Sequence, residues 1–303
     1  DKWSPDAFSC VYRFFEKHYE QVDLVSCKQE FFEGQTGPHP LSKKKYEDGD
    51  RVTDILTNFE DLQLHITASF LKAEIMRDEQ FDTRLKYGED ALYVNEIILK
   101  KHRYGLVAQP THYYRKRANN SSAVQNKRQS PEWYFTTPKL FYGEVIRRSK
   151  EKFGAVIPYI QYLIAYEMQW RLKDEIDEFL TPEQITEYLA VVKKLLDVCD
   201  DDILVAPEQI YVQQKIYLLS LKYGCDITKE FKYVEQKLFF RNLVICDLGK
   251  HLCFLSTFCA YGPKSSILAD RSGHIFTISC GFGLWTRGES FIMSMQSPPH
   301  TES

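Results

Sequence analysis

No Cys-x-x-Cys pair occurs in the chain, and its eight cysteines are scattered from Cys10 to Cys280. That spacing excludes a zinc-ribbon type of site and argues against a disulfide framework in a chain of 303 residues. A reducing compartment, the cytoplasm, is the simplest expectation. No apolar run approaches the roughly 18 residues needed to cross a bilayer, and no signal peptide is recognisable. Charge of one sign is not in excess: the formal net charge is -3, so nothing global points to nucleic acid. There is no glycine-rich phosphate loop, no internal repeat and no low-complexity tract. No two histidines fall at i, i+4 spacing, so His65, His102 and His274 read as structural rather than as ligands.

What is present suits a packed protein. Hydrophobic residues make up 44% and charged residues 27%, ordinary values for a globular chain. The length suits one large domain with smaller ones. Aromatics reach 14%, a surplus that fits core filling and also fits stacking on sugar rings. The chain opens on Asp1 rather than Met, so a processed, truncated or excised product is expected.

Ser4-Pro5-Asp6 signals a helix start, with Ser4 as N-cap, followed by Phe8, Val11, Phe15 and Tyr19 on one face. Residues 22–27 read as a short buried strand. Residues 33–54 read as a long polar surface loop, in which Lys43, Lys44 and Lys45 are solvated or meet phosphate. Residues 65–72 alternate as a strand. A helix carrying Val94, Ile97 and Ile98 runs to about Lys101, with Gly105 as its stop. Residues 106–114 read as another strand. From Pro131 the pattern is helical for about ninety residues. It includes a capping box at Thr181, a last helix opened by Pro207, and Gly224 as C-cap. Beyond Lys229, short β runs at 238–245, 252–259, 267–268 and 275–278 suggest a small all-β unit. A tail from Ser297 reads as disordered.

Two clusters carry chemistry. In Tyr87-Gly88-Glu89-Asp90, paired carboxylates open a helix just after a glycine. The helix N-terminus favours negative charge, so Asp90 is expected to stay ionised and positioned, able to take a proton from a hydroxyl. Acids in a first helical turn are also routine for structural reasons. In Tyr114-Arg115-Lys116-Arg117, with Ser121 and Ser122 beyond, three cations and two hydroxyls follow a strand end. That set suits a diphosphate, and equally a solvated basic loop.

The order of these features from Asp1 to about Arg171 resembles bacterial family-2 inverting glycosyltransferases of the GT-A fold, of the capsule, teichoic-acid and surface-polysaccharide type. Asp1-Lys2-Trp3-Ser4-Pro5 is similar to the tail of the family's Asp-x-Asp cluster and the helix after it. Phe70-Leu71-Lys72 is similar to its Phe-x-Lys element, and Gly88-Glu89-Asp90 to its catalytic Glu-Asp. Tyr114-Arg115-Lys116-Arg117 with Ser121-Ser122 is similar to its Tyr-Arg-x-Arg and Ser segment. Pro158-Tyr159-Ile160-Gln161-Tyr162 and Gln169-Trp170-Arg171 are similar to a helical region of its polymer-building branch.

The resemblance implies an α/β fold: an incomplete, Rossmann-like GT-A half at 1–128, a helical region at 129–228, a small β module at 229–296 and the tail at 297–303. It implies a nucleoside-diphosphate sugar as donor, a glycan or teichoic-acid-like polymer as acceptor, and inversion at the anomeric carbon. It implies roles: Asp90 as base, Glu89 orienting, Arg115, Arg117, Ser121 and Ser122 on the diphosphate, and Asp1 on Mg²⁺ or Mn²⁺. The family's nucleotide-binding βαβ units are not in this sequence, so the chain alone is expected to bind nucleotide sugar weakly and to leave apolar surface uncovered. Trp285, Tyr261 or Phe282 of the β module could hold glycan; packing or oligomerisation is the alternative. Peripheral membrane contact through Arg147, Arg148 and Lys150 and a homo-oligomer are further possibilities. The rival reading is a non-catalytic glycan- or protein-binding remnant. A polyol-phosphate phosphotransferase is disfavoured because no histidine-rich phosphate site is visible in the sequence.

Overall fold

A computed structural model describes residues 1–78, 80–117, 129–171, 176, 179–225, 227, 230–234, 237–240, 243–247, 266–269 and 275–278. The chain divides into two units, Asp1–Gln209 and Ile210–Ser303. The first unit is built on a mixed sheet of six strands. Its centre is a parallel pair, β2 (Leu24–Glu33) and β6 (Arg103–Lys116). Four short strands lie antiparallel along the outer edges of that pair. β1 (Lys2–Trp3) and β4 (Arg51–Asp54) pair with β6; β3 (Gly37–Pro38) and β5 (Ser69–Leu71) pair with β2. The register of β2 on β6 slips between Cys27 and Lys28, from Val107 to Thr111. Pro110 sits in the extra β6 segment, where a missing N–H costs no ladder bond.

The central strands are longer than the sequence suggested, because each is a hub with partners on both edges. The expected surface loop at 33–54 is corrected in part. It contributes β3 and β4 to the sheet and buries Lys45 and Tyr46. The expected strand at 65–72 is a 3₁₀ turn, Ile66–Ala68, followed by β5.

Helix α1 (Ala7–His18) starts two residues later than its Ser-Pro signal suggests. The Ser4 hydroxyl is occupied elsewhere, accepting from Thr111 N at 3.1 Å and tying the chain to β6. The face of α1 that packs on Val22, Val25, Cys27 and Val107 carries Ala7, Cys10, Val11 and Phe14. Phe8 and Tyr12, at 70% and 65% exposure, stand on the outer face instead. Gly105 is not a helix stop. It lies in β6, where an added Cβ would sit 2.4 Å from Phe14 and 2.9 Å from Val25. Helix α1 can lie this close to the sheet only because that position carries no side chain.

Helix α2 (Ala73–Asp78) leads toward α3 (Glu89–Lys101), which is closed by His102 at φ 49°. From Pro131 the chain is helical as expected. It begins with wide π-type turns over Glu132–Thr136 and Pro138–Tyr142, then α4 (Gly143–Phe153) and the almost wholly buried α5 (Pro158–Arg171). The capping box at Thr181 opens α6 (Pro182–Leu196), and a short α7 (Asp201–Val205) follows. Arg171 is 2% exposed. Its guanidinium lies 4.1 Å from the Trp133 ring centroid and donates to the Trp133 carbonyl and the Tyr142 hydroxyl.

In the second unit, α8 (Val212–Tyr223) begins five residues past Pro207 and ends on Gly224 at φ 67°, as expected for a left-handed cap. Strands β7 (Phe231–Val234), β8 (Lys237–Phe240) and β9 (Leu243–Asp247) form an antiparallel sheet. Strands β10 (Ser266–Ala269) and β11 (Ile275–Ile278) form a separate antiparallel pair. The expected strand at 252–259, Tyr261, His274, Phe282, Trp285 and the tail lie outside the described residues. Among the described residues no helix is long and apolar enough to cross a membrane.

Candidate functional site

The start of α3 is fixed from two sides. Gly88 enters the helix at φ 84°, a left-handed backbone that favours glycine. A Cβ there would also meet Phe141 at 3.1 Å and Thr137 at 3.4 Å. The Thr137 hydroxyl donates to the Tyr87 carbonyl at 3.3 Å, so the helical region packs against the mouth of α3. On the sheet side the tie is Gln63. Its side-chain oxygen accepts from Ser26 of β2 at 2.7 Å and from Lys45, and its backbone carbonyl accepts from Asn95 of α3 at 3.0 Å. Asn95 also donates to the Ala91 carbonyl at 2.7 Å, pinning the first turn of the helix.

Asp90 sits in that turn, half-buried. Burial first, and the neighbouring Glu89 charge second, push its carboxyl up to about 6. The helix N-terminus was expected to hold Asp90 as a comfortable anion. It remains mostly ionised at neutral pH, but desolvation outweighs the helix end and leaves it a readier proton acceptor.

Asp1 and Arg115 are brought together by the pairing of β1 with the C-terminal part of β6. The Arg115 backbone N–H donates to Asp1 Oδ1 at 2.9 Å, and Asp1 Oδ2 lies 3.9 Å from His112 Nε2. The Arg115 guanidinium is already paired with Glu33, whose carboxyl is held below its ordinary value by that bond. Arg117 is exposed close enough to Glu33 to act on it as well. A diphosphate would therefore have to take Arg115 from Glu33. Ser121 and Ser122 lie outside the described residues.

Lys72 of the Phe-x-Lys element is buried against Asp23 at 3.0 Å, and Lys101 reaches the same oxygen at 2.8 Å. Its geometry is that of a structural pair. Trp3 packs on Phe70 and on His112, with ring centroids 4.7 and 4.8 Å apart.

Sequence reasoning missed a basic cluster beside the site. Lys45 is fully enclosed, donating to the Leu62 carbonyl at 3.0 Å and to Gln63 Oε1. Burial presses its ammonium down to about 7. His39 and His65 meet edge to face with centroids 4.6 Å apart. Burial, then neighbouring positive groups, lowers them to about 2 and about 4. These residues lie in the segment read as a polar loop and just before the 3₁₀ turn, 26 positions apart, so no local spacing could reveal the pair.

Among the described residues no group of three or more His, Cys, Asp or Glu side chains could cage a metal ion. Mg²⁺ commonly takes only one or two protein carboxylates and completes its shell with water and substrate phosphates. The half-exposed Asp1 carboxylate fits that limited role.

No protein-family model matches the chain. It is 29% identical over 258 residues to the minor teichoic acid biosynthesis protein GgaB of Bacillus subtilis (strain 168), covering 84% of this chain and 28% of that protein. It is 30% identical over 198 residues to the minor teichoic acid biosynthesis protein GgaA of the same organism, covering 65% of this chain and 41% of that one. A crystal structure of S. aureus TarS 1-349 in complex with UDP-GlcNAc aligns with a TM-score of 0.49 at 12% identity, over 79% of this chain and 69% of that one. The chain thus spans well under half the length of the two curated relatives, and its relationship to these bacterial teichoic-acid biosynthesis proteins is distant and partial.

Proposed function

We propose that the chain is part of an inverting, GT-A type glycosyltransferase that moves a sugar from a nucleoside-diphosphate sugar to a hydroxyl of a bacterial surface polymer. The observation that carries this reading is Asp90: a half-buried carboxylate on a rigid helix mouth, raised to about 6 by burial and Glu89. A base with that affinity for protons suits deprotonation of an acceptor alcohol near neutral pH. The partial likeness to two proteins of minor teichoic acid biosynthesis supports the choice of a surface polymer as acceptor.

In this reading Asp90 takes the hydroxyl proton as the acceptor oxygen attacks the anomeric carbon from the face opposite the departing diphosphate. Glu89 orients the acceptor. Arg115, Arg117, Ser121 and Ser122 bind the diphosphate, with Arg115 exchanging Glu33 for a phosphate oxygen. Asp1 would hold a Mg²⁺ or Mn²⁺ ion, which supplies positive charge to the leaving group. The working boundaries remain 1–128 for the catalytic half, 129–228 for the helical region and 229–296 for the β module.

The test is Asp90→Asn in the longest natural polypeptide containing this chain, assayed for nucleotide release dependent on acceptor. Removal of a general base is expected to cost on the order of 10²–10⁴ in turnover, with the fold retained. Unchanged turnover would place the base outside this chain and leave the chain itself as a non-catalytic glycan- or protein-binding part.

A further inference from the structure

Asn95 is a costly residue for its place in the fold. It lies in the second turn of α3 and is wholly buried, at 0% exposure. Asparagine forms helix less readily than leucine or alanine, because its side chain competes for backbone groups. Here it does so with both hydrogens of its amide, one on the Gln63 carbonyl at 3.0 Å and one on the Ala91 carbonyl at 2.7 Å. Two carbonyl partners fix which way the amide faces, since only its nitrogen can donate. Its oxygen, Oδ1, is left buried with no hydrogen-bond partner among the described residues. A buried acceptor without a donor costs stability. A leucine would fill the same space without that unpaired oxygen, so the amide is explained by what it holds rather than by packing.

What it holds is the mouth of α3. Gln63 is a fixed point. Its Oε1 accepts from Ser26 of β2 and from Lys45, and its Nε2 donates to the His65 carbonyl at 2.8 Å and to Ser69 of β5 at 3.1 Å. Its backbone N–H donates to the Tyr159 hydroxyl of α5 at 3.3 Å. Asn95 carries that fixed point to the Ala91 carbonyl, and Ala91 follows Asp90 in the chain. Val94, Ile97 and Ile98 also hold α3 down, being buried to 1% exposure or less. Apolar packing is non-directional, whereas hydrogen bonds set a distance and a direction. The charge that acts on Asp90 is that of Glu89. Gln63, Asn95 and the Thr137 and Phe141 side chains that pack at Gly88 are uncharged.

We propose that Asn95 is a positioning residue for Asp90: by tying α3 to Gln63 it fixes the depth at which the first turn, and with it the Asp90 carboxylate, is seated against the sheet. Calling Asp90 the base rests on the transferase reading; the seating of its carboxylate is tested without turnover.

The experiment is a carbon-13 NMR titration of the Asp90 carboxyl in the full chain, its signal identified by its loss in Asp90→Asn. The parent is expected to titrate with a midpoint of about 6. Without the tie the first turn lifts and the carboxyl gains water. Asn95→Ala is therefore expected to lower the midpoint by roughly half a unit or more. Asn95→Leu, which keeps the volume, is expected to do the same, and it decides the matter if the alanine variant does not fold. Ile98→Val takes a buried methyl from the same helix without touching the tie, and should leave the midpoint in place. A midpoint that stays near 6 in a folded Asn95 variant overturns the proposal. So does an equal shift in Ile98→Val, since any loosening of α3 would then suffice. In the longest natural polypeptide containing this chain, Asn95→Leu is expected to lower kcat by about 10–100-fold and to move the acidic limb of the pH-rate profile together with the NMR midpoint. Full turnover in Asp90→Asn, with the midpoint still displaced by Asn95→Leu, would sink the base assignment and leave the seating of the carboxylate standing. Turnover lost in Asp90→Asn, with midpoint and kcat both unchanged in Asn95→Leu, would do the reverse.

Discussion

Replacing Asp90 by Asn should make the protein more stable at neutral pH while removing its activity. Burial and Glu89 raise the Asp90 carboxyl from 3.8 to about 6 in the folded chain. The folded state therefore binds a proton more tightly than the unfolded state does. Between those two pH values the folded state holds more protons, so this group's contribution to stability falls as pH rises from about 4 to about 6. Above that window the penalty is constant. A gap of about two pH units corresponds to roughly 3 kcal/mol as an upper limit. The side chain is partly exposed, and solvent screening reduces this to about 1–2 kcal/mol.

Asn keeps the shape and removes the charge. Its expected effect is a rise in Tm of roughly 2–8 °C at pH 7, shrinking toward zero near pH 4. Thermal or urea unfolding of both proteins at pH 4, 5, 6 and 7 measures it. An Asn variant that is less stable than the parent at pH 7, or equally offset at every pH, would show that the carboxylate is comfortable where it sits. The argument for Asp90 as a poised base would then lose its physical ground.

Turnover should show an acidic limb near pH 6, and Glu89→Gln should move it to lower pH by under about one unit, since Glu89 is the smaller of the two causes; a limb that stays put in a pH-rate profile contradicts this. Gly105→Ala should cost about 1–3 kcal/mol by forcing Phe14 off β6, read as a lowered urea midpoint with unchanged slope. Asp23→Asn should cost about 3–5 kcal/mol, because it leaves the buried Lys72 beside Lys101 without their shared anion. The Asp23 carboxyl is itself pressed up by burial, but Lys101 and Lys72 outweigh that and hold it below 3.8. Its stabilising share is therefore present above that pH and lost only as pH falls through the lowered value, so the cost of Asp23→Asn should shrink in acid.

Local pattern determined much of this protein. The helical run from Pro131, the Thr181 capping box, the Gly224 cap, the glycine-led helix at Glu89-Asp90 and the strand into Arg115 all follow from periodicity and end signals. Those forces act within a few residues, so they are written contiguously. What depends on distant partners was not legible. Gly105 reads as a helix stop until Phe14 is seen to lie against it, and Ser4 reads as a cap until Thr111 claims its hydroxyl. Lys45 reads as solvated until Leu62, Gln63 and the sheet close over it. The pairing of Arg115 with Glu33, both exposed, follows from the register of β6 on β2, and the raised affinity of Asp90 for its proton arises from burial. Burial is a property of the assembled tertiary structure, where desolvation and neighbouring charge are set by residues tens of positions away.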